Sequence, residues 1–471
     1  MHLEYEFERI NSCVEGLMLL TFSVENFASI GKKQSINLFT GKARGKSSHL
    51  IKVYKQTALK FTSIYGANAA GKSTMIKAMH FGKKMIINGS LDKRFMSVNK
   101  SKDSWSTKPT EFVYTLFIEK KIYEYGFVLS WNDEKIIKEW LIERNSRLED
   151  KQIFIRDFTE QIFKLNIKAK NVETDKRLSI YFSDASNENN LLFLNEINSK
   201  KGNLFTSDPS LQYFKFLYRW FSTKMKFVYP NSASDLGAYS FLNYAENNEK
   251  LYECLLELDI PIDKMSYVEV PIEQMFKDVP SSVVEEIEAD FRDMYKEEGK
   301  ENDGVLHVSM RLGDSYYIVE ANAGGIEKIE TVQFSHRNHG KFEFKEESDG
   351  TKRILELLEM IITPEKDVTY IVDEIDRSLH PLLTEKLVSM YLNPDNPNNN
   401  QLIITTHESR LLNLKKLRRD EIYFASSRNG ESEFIRLDDF DSEKSRSDLN
   451  IELAYLSGRY SGIPNIIKYV D

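Results

Sequence analysis

The stretch Gly66-Ala67-Asn68-Ala69-Ala70-Gly71-Lys72-Ser73-Thr74 decides the fold. Through Ser73 it fits G-x-x-x-x-G-K-[ST] at every fixed position. An apolar run, Phe61-Thr62-Ser63-Ile64-Tyr65, precedes it and stops at Gly66. A helical pattern follows from about Lys72 to Asn88, with Met75, Ile76, Met79 and Met85-Ile86 on one face. Strand, glycine-bearing loop and helix in this order predict a phosphate cradle. Glycines let the backbone turn so that its N–H groups point at an anion, and the helix N-terminus adds partial positive charge. Gly66, Ala67, Asn68, Ala69, Ala70 and Gly71 would wrap a nucleotide's phosphates. Lys72 brings a mobile charge to the β/γ oxygens, Ser73 offers a hydroxyl to Mg²⁺, and Thr74 completes the binding set.

A second stretch, Val368-Thr369-Tyr370-Ile371-Val372, is an apolar strand that ends in Asp373-Glu374. Strands buried on both faces of a parallel sheet read this way, and their carboxyl ends open on the ligand crevice. Asp373 is placed to hold Mg²⁺ and Glu374 to polarise an attacking water. Asp376 follows in Asp376-Arg377-Ser378-Leu379-His380-Pro381. The next apolar strand, Gln401 to Thr405, ends at His407. Upstream, Glu347-Ser348-Asp349-Gly350-Thr351 opens a predicted helix over about Gly350 to Ile362. Its small and acidic N-cap residues suit a second anion.

Composition sets the outer limits. The chain has 471 residues, 64 Lys plus Arg and 72 Asp plus Glu, for a net charge of −8. That balance excludes a histone-like basic binder. Hydrophobic residues at 41% and aromatics at 12% exclude a wholly disordered chain. Cys13 and Cys254 stand far apart, so neither a disulfide framework nor a Cys-based zinc site can be built, and a reducing cytoplasm is the expected compartment. The longest apolar runs, such as Leu191 to Leu194, fall far short of the ~20 residues that span a bilayer. Glu4, Glu6, Glu8 and Glu15 do not suit a signal peptide. A soluble, cytoplasmic protein without a membrane partner is expected.

The expected fold is α/β: a P-loop core with a β-rich N-terminal lobe and a mostly helical insertion. Residues 1–17 read as a flexible extension and 18–149 as the lobe with the phosphate loop. Within the lobe, Leu19 to Val24 is a strand, and Phe112 to Ile118 with Tyr123 to Leu129 a hairpin. Residues 150–303 read as the insertion, with helical periodicity at Ser210 to Phe221, Asn247 to Glu257 and Ser282 to Tyr295. Residues 304–471 alternate strands and helices, which implies a parallel sheet.

Several features leave two readings open. Residues 31–60 carry Lys32, Lys33, Lys42, Arg44, Lys46, Lys52, Lys55 and Lys60 with no acid; Lys415, Lys416, Arg418 and Arg419 form a second run. Each is either a solvated loop or a field that steers nucleotide or meets a nucleic-acid backbone. Glu285 to Asp303 is acid-rich, either a solvated helix face or a dock for a basic partner. His336 and His339 flank a turn; two histidines alone make a thin zinc site.

The motif order resembles ATPases of the ABC/SMC class. It is similar to the stand-alone "AAA-like" ATPases of bacterial anti-phage systems, related to those of overcoming-lysogenization-defect (OLD) nucleases and abortive-infection proteins. Leu20 to Ile30, Asp373 to Pro381 and Tyr455 to Asn465 carry that likeness, which spans about 18–145 and 330–471 and leaves the insertion out. The resemblance implies ATP and Mg²⁺ as cofactors and a homo-oligomer built from ATP-sandwich dimers. In it Ser348 and Gly350 of one subunit meet the γ-phosphate held by another, Asp376 lines the seam, and His407 senses the γ-phosphate. Lys72, Glu374 and His407 form the implied catalytic set, with Ser73 and Asp373 on the metal. Glu347-Ser348-Asp349-Gly350 departs from the transporter signature Leu-Ser-Gly-Gly. Neither membrane segments nor long coiled coils occur, so transporter and chromosome-clamp readings fall. The implied function is a defence switch that senses infection, through a trigger such as a phage product, and controls a separate nuclease or toxin, possibly of toprim type. An SMC-like DNA-repair or recombination ATPase that binds DNA directly is the alternative.

Overall fold

The computed structural model describes residues 16–460 except 54, 91–98, 102, 146–148, 200–203, 206–207, 231–248, 278, 299–305, 313–314, 323–324, 338–339, 364, 395–398 and 441–449. The described residues form two compact units. The first, the core unit, holds those of Val14–Phe227, Glu365–Ile375 and Leu392–Asp471; the second holds those of Val228–Pro364 and Asp376–Tyr391.

Two large sheets and a two-stranded one, Leu50–Val53 with Gln56–Leu59, make the core unit. One has six strands in the order Met225–Val228, Thr369–Val372, Gln401–Thr406, Phe61–Tyr65, Ile422–Arg428 and Glu431–Arg436. Phe61–Tyr65 runs parallel to both of its neighbours, and Thr369–Val372 runs parallel to Gln401–Thr406. All five residues of Phe61–Tyr65 are buried, which is why this strand reads as a continuous run rather than an alternation. Tyr455 and Tyr460 stack on Phe424 of Ile422–Arg428, the strand next to the far edge, with ring centroids 5.4 and 4.8 Å away. They belong to the C-terminal stretch singled out above; its residues 461–465 lie outside the described set.

The other sheet is a seven-stranded antiparallel lobe: Ile162–Leu165, Lys151–Asp157, Lys135–Arg144, Lys121–Ser130, Thr110–Ile118, Leu17–Glu25 and Gln34–Asn37. The predicted strand and hairpin are present. The meander then runs on through Lys135–Arg144 and past residue 150, because the ladder between Lys138–Glu143 and Lys151–Asp157 continues it. The segment boundaries 149/150 and 303/304 therefore do not coincide with boundaries of the compact units. Helices still dominate 150–303, with Val172–Asn187, Phe193–Ser199, Gln212–Arg219, Glu249–Glu257 and Ser281–Glu298 among them.

A fully buried ion pair holds the lobe to its helices. Arg156 Nη1 meets Glu139 Oε2 at 2.5 Å. Arg156 also donates to the carbonyls of Ala185, of Glu188 at 2.7 Å and of Leu191 at 3.0 Å, where the helix Val172–Asn187 ends. Glu139 in turn accepts from Phe193 N at 2.8 Å and Leu194 N at 3.1 Å, where the helix Phe193–Ser199 begins.

The second unit has an antiparallel sheet in the order Ile262–Glu269, Gly325–His336, Ser315–Asn322, Leu306–Leu312, with Lys341–Glu343 paired to Gly325–His336. Met275, Phe291, Tyr317, Val319, Ala321 and Ile329 form a cluster against one of its faces. The helices Asp349–Ile362 and Pro381–Tyr391 also belong here. Cys254 is buried, and Cys13 lies outside the described residues. No helix among the described residues is long and apolar enough to cross a membrane.

Candidate active site

The helix Lys72–Asn88 starts where the phosphate-loop signature predicts. Gly71 caps it at φ +98°, and a Cβ there would lie 2.0 Å from Ser432 Oγ, so both the backbone and the space require glycine. A Cβ at Gly66 would meet the Ala425 carbonyl oxygen at 2.5 Å. Lys72 folds back over the loop, donating from Nζ to the carbonyls of Gly66 at 2.8 Å and Ala67 at 3.1 Å. Between these ends Ala69 takes a left-handed backbone at φ +62°, and Ala70 N donates to the Ala67 carbonyl at 3.2 Å.

Ser73 Oγ donates to Asp373 Oδ1 at 3.1 Å across 300 residues of chain. Asp373 follows the Thr369–Val372 strand and is 3% exposed. Two hard oxygens so placed, a hydroxyl and a carboxylate, suit Mg²⁺, which is bound through few protein ligands. Glu374 is half-buried and takes φ +49°, a conformation that costs a non-glycine residue about 1–2 kcal/mol. Its N–H donates to Thr405 Oγ1 at 2.8 Å, which itself donates to Asp373 Oδ1 at 2.5 Å. His407 is exposed just past the end of the Gln401–Thr406 strand.

The core unit thus brings together the loop from Gly66 to Thr74, Asp373, Glu374 and the Thr405–His407 strand end. Ser348, Gly350 and Asp376 lie in the second unit. Ser348 caps the Asp349–Ile362 helix, its Oγ accepting from Thr351 N at 3.1 Å. A Cβ on Gly350 would be 3.0 Å from the Ser378 carbonyl, so the helix start packs closely on the turn that Asp376 opens. His336 Nε2 lies 2.6 Å from Glu347 Oε1, which gives this histidine a structural partner beside Ser348. His339 lies outside the described residues, which hold no cluster of three or more metal-ligating side chains.

Three residues near the loop had no role read from the sequence, although Asn26 and Ser29 lie in the Leu20 to Ile30 stretch. Asn26, at φ +55°, anchors a turn by donating from Nδ2 to the carbonyls of Trp105 at 3.0 Å and Lys108 at 2.8 Å. That turn sets Ser29 Oγ 3.1 Å from Thr74 Oγ1, and Ser432 Oγ donates to Ser29 Oγ at 2.8 Å. Isolated serines far apart in sequence form no pattern; only the pairing of the sheets brings them here.

A family model described as "AAA domain, putative AbiEii toxin, Type IV TA system" matches residues 61–413. No curated protein matches the chain. Among solved structures the chain is similar to an SMC head bound to the C-winged helix domain of ScpA, at 15% identity and TM-score 0.38, covering 89% of this chain and 98% of that one. An SMC head domain from Thermotoga maritima shares 13% identity at TM-score 0.35, covering 89% and 98%. RecF with ATP shares 12% at TM-score 0.35, covering 90% and 99%. Likeness at this level says nothing of what the chain binds. The fold class rests on the parallel strands around the phosphate loop and on the antiparallel lobe: an α/β P-loop core. The family model spans the phosphate loop, the Asp373-Glu374 strand end and His407, and the chain belongs to this family of AAA ATPase domains.

Proposed function

We propose that this chain binds and hydrolyses ATP as the oligomeric switch of a bacterial antiviral defence system, sensing infection and controlling a separate nuclease or toxin. The observation that carries the ATPase reading is the Ser73–Asp373 contact, which joins the two motifs beside Glu374. Lys72, 5% exposed, already turns its charge onto loop carbonyls and would exchange them for β/γ oxygens. Ser73 and Asp373 would hold Mg²⁺, which supplies charge neutralisation to the phosphates when bound. Glu374 takes the proton of the attacking water. Ser348 and Gly350 of a second copy close the nucleotide, with Asp376 at the seam and His407 at the γ-phosphate. The family model's description, which names a putative AbiEii toxin of a type IV TA system, supports a setting beside a toxin.

Lys72→Ala tests this. The expected result is loss of MgATP binding by calorimetry and of turnover; a variant that keeps full nucleotide binding overturns the phosphate-loop reading. Mass measurement of the complex purified from its native operon, with and without ATP, tests the partner.

A second reading, direct nucleic-acid binding, is favoured by one arrangement. Arg418 donates to the carbonyls of Gly45 at 2.5 Å and Ala43 at 2.9 Å, and Lys46 Nζ to the Leu414 carbonyl at 2.8 Å. The two basic runs thereby meet, with Lys42, Arg44 and Lys415 exposed. Other members are structural. Lys33 pairs with Glu111, and Lys60 is buried, which lowers its ammonium pKa to about 8. On this reading, replacing Lys42, Arg44 and Lys415 together by Glu weakens duplex binding. It also flattens log K against log salt by about 0.9 per lost phosphate contact. Duplex binding that the triple variant leaves unchanged removes the reading.

A further inference from the structure

Thr405 is fully buried near the end of the Gln401–Thr406 strand, just past the apolar run Leu402-Ile403-Ile404. Its hydroxyl donates to Asp373 Oδ1 at 2.5 Å and accepts from Glu374 N–H at 2.8 Å; its carbonyl accepts from Ile375 N–H at 3.1 Å. One residue therefore grips three consecutive residues of the neighbouring strand end. The parallel ladder stops one step earlier, at Val372 opposite Ile404. Beyond that point Thr405 replaces regular pairing with side-chain bonds.

The direction of these bonds is fixed by chemistry. An ionised carboxylate only accepts and a backbone N–H only donates, so the single hydroxyl hydrogen goes to Asp373 and a lone pair faces Glu374. Asp373 Oδ1 is the same atom that meets Ser73 Oγ. Thr405 thus orients the carboxylate toward the phosphate-loop serine while pinning the left-handed turn at Glu374.

We infer that Thr405 is the positioning residue of this site: it sets the Asp373 carboxylate for Mg²⁺ and fixes the backbone from which Glu374 reaches the attacking water. This rests on the ATPase reading above. Valine has nearly the shape of threonine but neither donates nor accepts, whereas serine keeps the hydroxyl.

The test compares the full-length wild type with Thr405→Val and Thr405→Ser, reading kcat, KM for ATP and the Mg²⁺ concentration for half-maximal turnover. Partners that orient metal ligands change affinity or activity by about 10–100-fold when lost. Thr405→Val is expected to lower kcat at least about tenfold and to raise the Mg²⁺ requirement, with KM for ATP little changed, and Thr405→Ser to restore most of both. Should Thr405→Val fail to fold, Thr405→Cys, a weak donor of similar size, is compared with Thr405→Ala instead. A valine variant with wild-type kcat and Mg²⁺ dependence overturns the inference alone, as does a serine or cysteine variant as impaired as one lacking the hydroxyl altogether, Thr405→Ala. A wild type with no MgATP turnover brings down the ATPase reading and this inference together.

Discussion

Glu374→Gln is expected to keep nucleotide binding and to lose turnover by about 10²–10⁴-fold, the range for a general base. Glutamine matches the shape of glutamate, and the backbone bond from Glu374 N–H to Thr405, at the left-handed φ +49°, does not involve the substituted atoms. What the substitution removes is the ability to take a proton. On the switch reading, nucleotide then accumulates in its unhydrolysed form and the closed assembly with it. The variant should show a raised mass with MgATP that the wild type shows only transiently. Single-turnover measurement separates the loss of chemistry from slow release. Turnover at the wild-type rate would place the base elsewhere and leave Asp373-Glu374 as a metal site only.

Arg156→Ala is expected to destabilise the core unit by about 3–5 kcal/mol, because it leaves a buried carboxylate without its cation. Glu139 would retain the N–H groups of Phe193 and Leu194 and the Tyr125 hydroxyl at 2.9 Å, but its charge would go uncompensated. Burial, and then the Glu139 carboxylate, hold the Tyr125 phenol well above its ordinary pKa, so it keeps its proton and donates. The three carbonyls capped by Arg156 would also lose their donor. At about 2–4 °C per kcal/mol for a unit of this size, the melting transition should fall by roughly 10 °C. Pairing Arg156→Met with Glu139→Leu should recover much of that, since removing both charges also removes the uncompensated one. A single Arg156→Ala that melts within 2 °C of wild type contradicts this account.

The same pair marks where sequence reading stopped. Lys135 to Arg144 is dense in charge, and Lys151 to Asp157 carries Lys151, Arg156 and Asp157. Charge at such positions reads as surface, and nothing local announces that Glu139 and Arg156 are fully buried against each other. Phe61–Tyr65, Thr369–Val372 and Gln401–Thr406 were legible for the opposite reason: burial on both faces leaves a continuous run. The Lys72–Asn88 helix was legible from the phosphate-loop signature at its start and from its apolar face; in the structure Gly89, at φ +75°, ends it. In the second unit the Gly325–His336 strand was missed because Glu327, Lys328 and Glu330 interrupt its apolar residues. The site residues that lie in motifs were legible; Ser432 was not singled out, and Ser29 and Thr405 were read only as members of strand stretches, since each acts through a partner supplied by a distant strand.

The central position of Phe61–Tyr65 in its sheet also bears on how the protein is made. Its ladder partners begin at Leu402 and Ile422, so nothing translated in the interval can complete its pairing. At about 5–20 residues per second, a ribosome delivers those strands roughly 20–70 s after this one. Throughout that wait a strand bound for burial on both faces, with two open edges, hangs on the nascent chain, which makes early synthesis the aggregation-prone phase and places assembly of the nucleotide site after the Gln401–Thr406 strand is made.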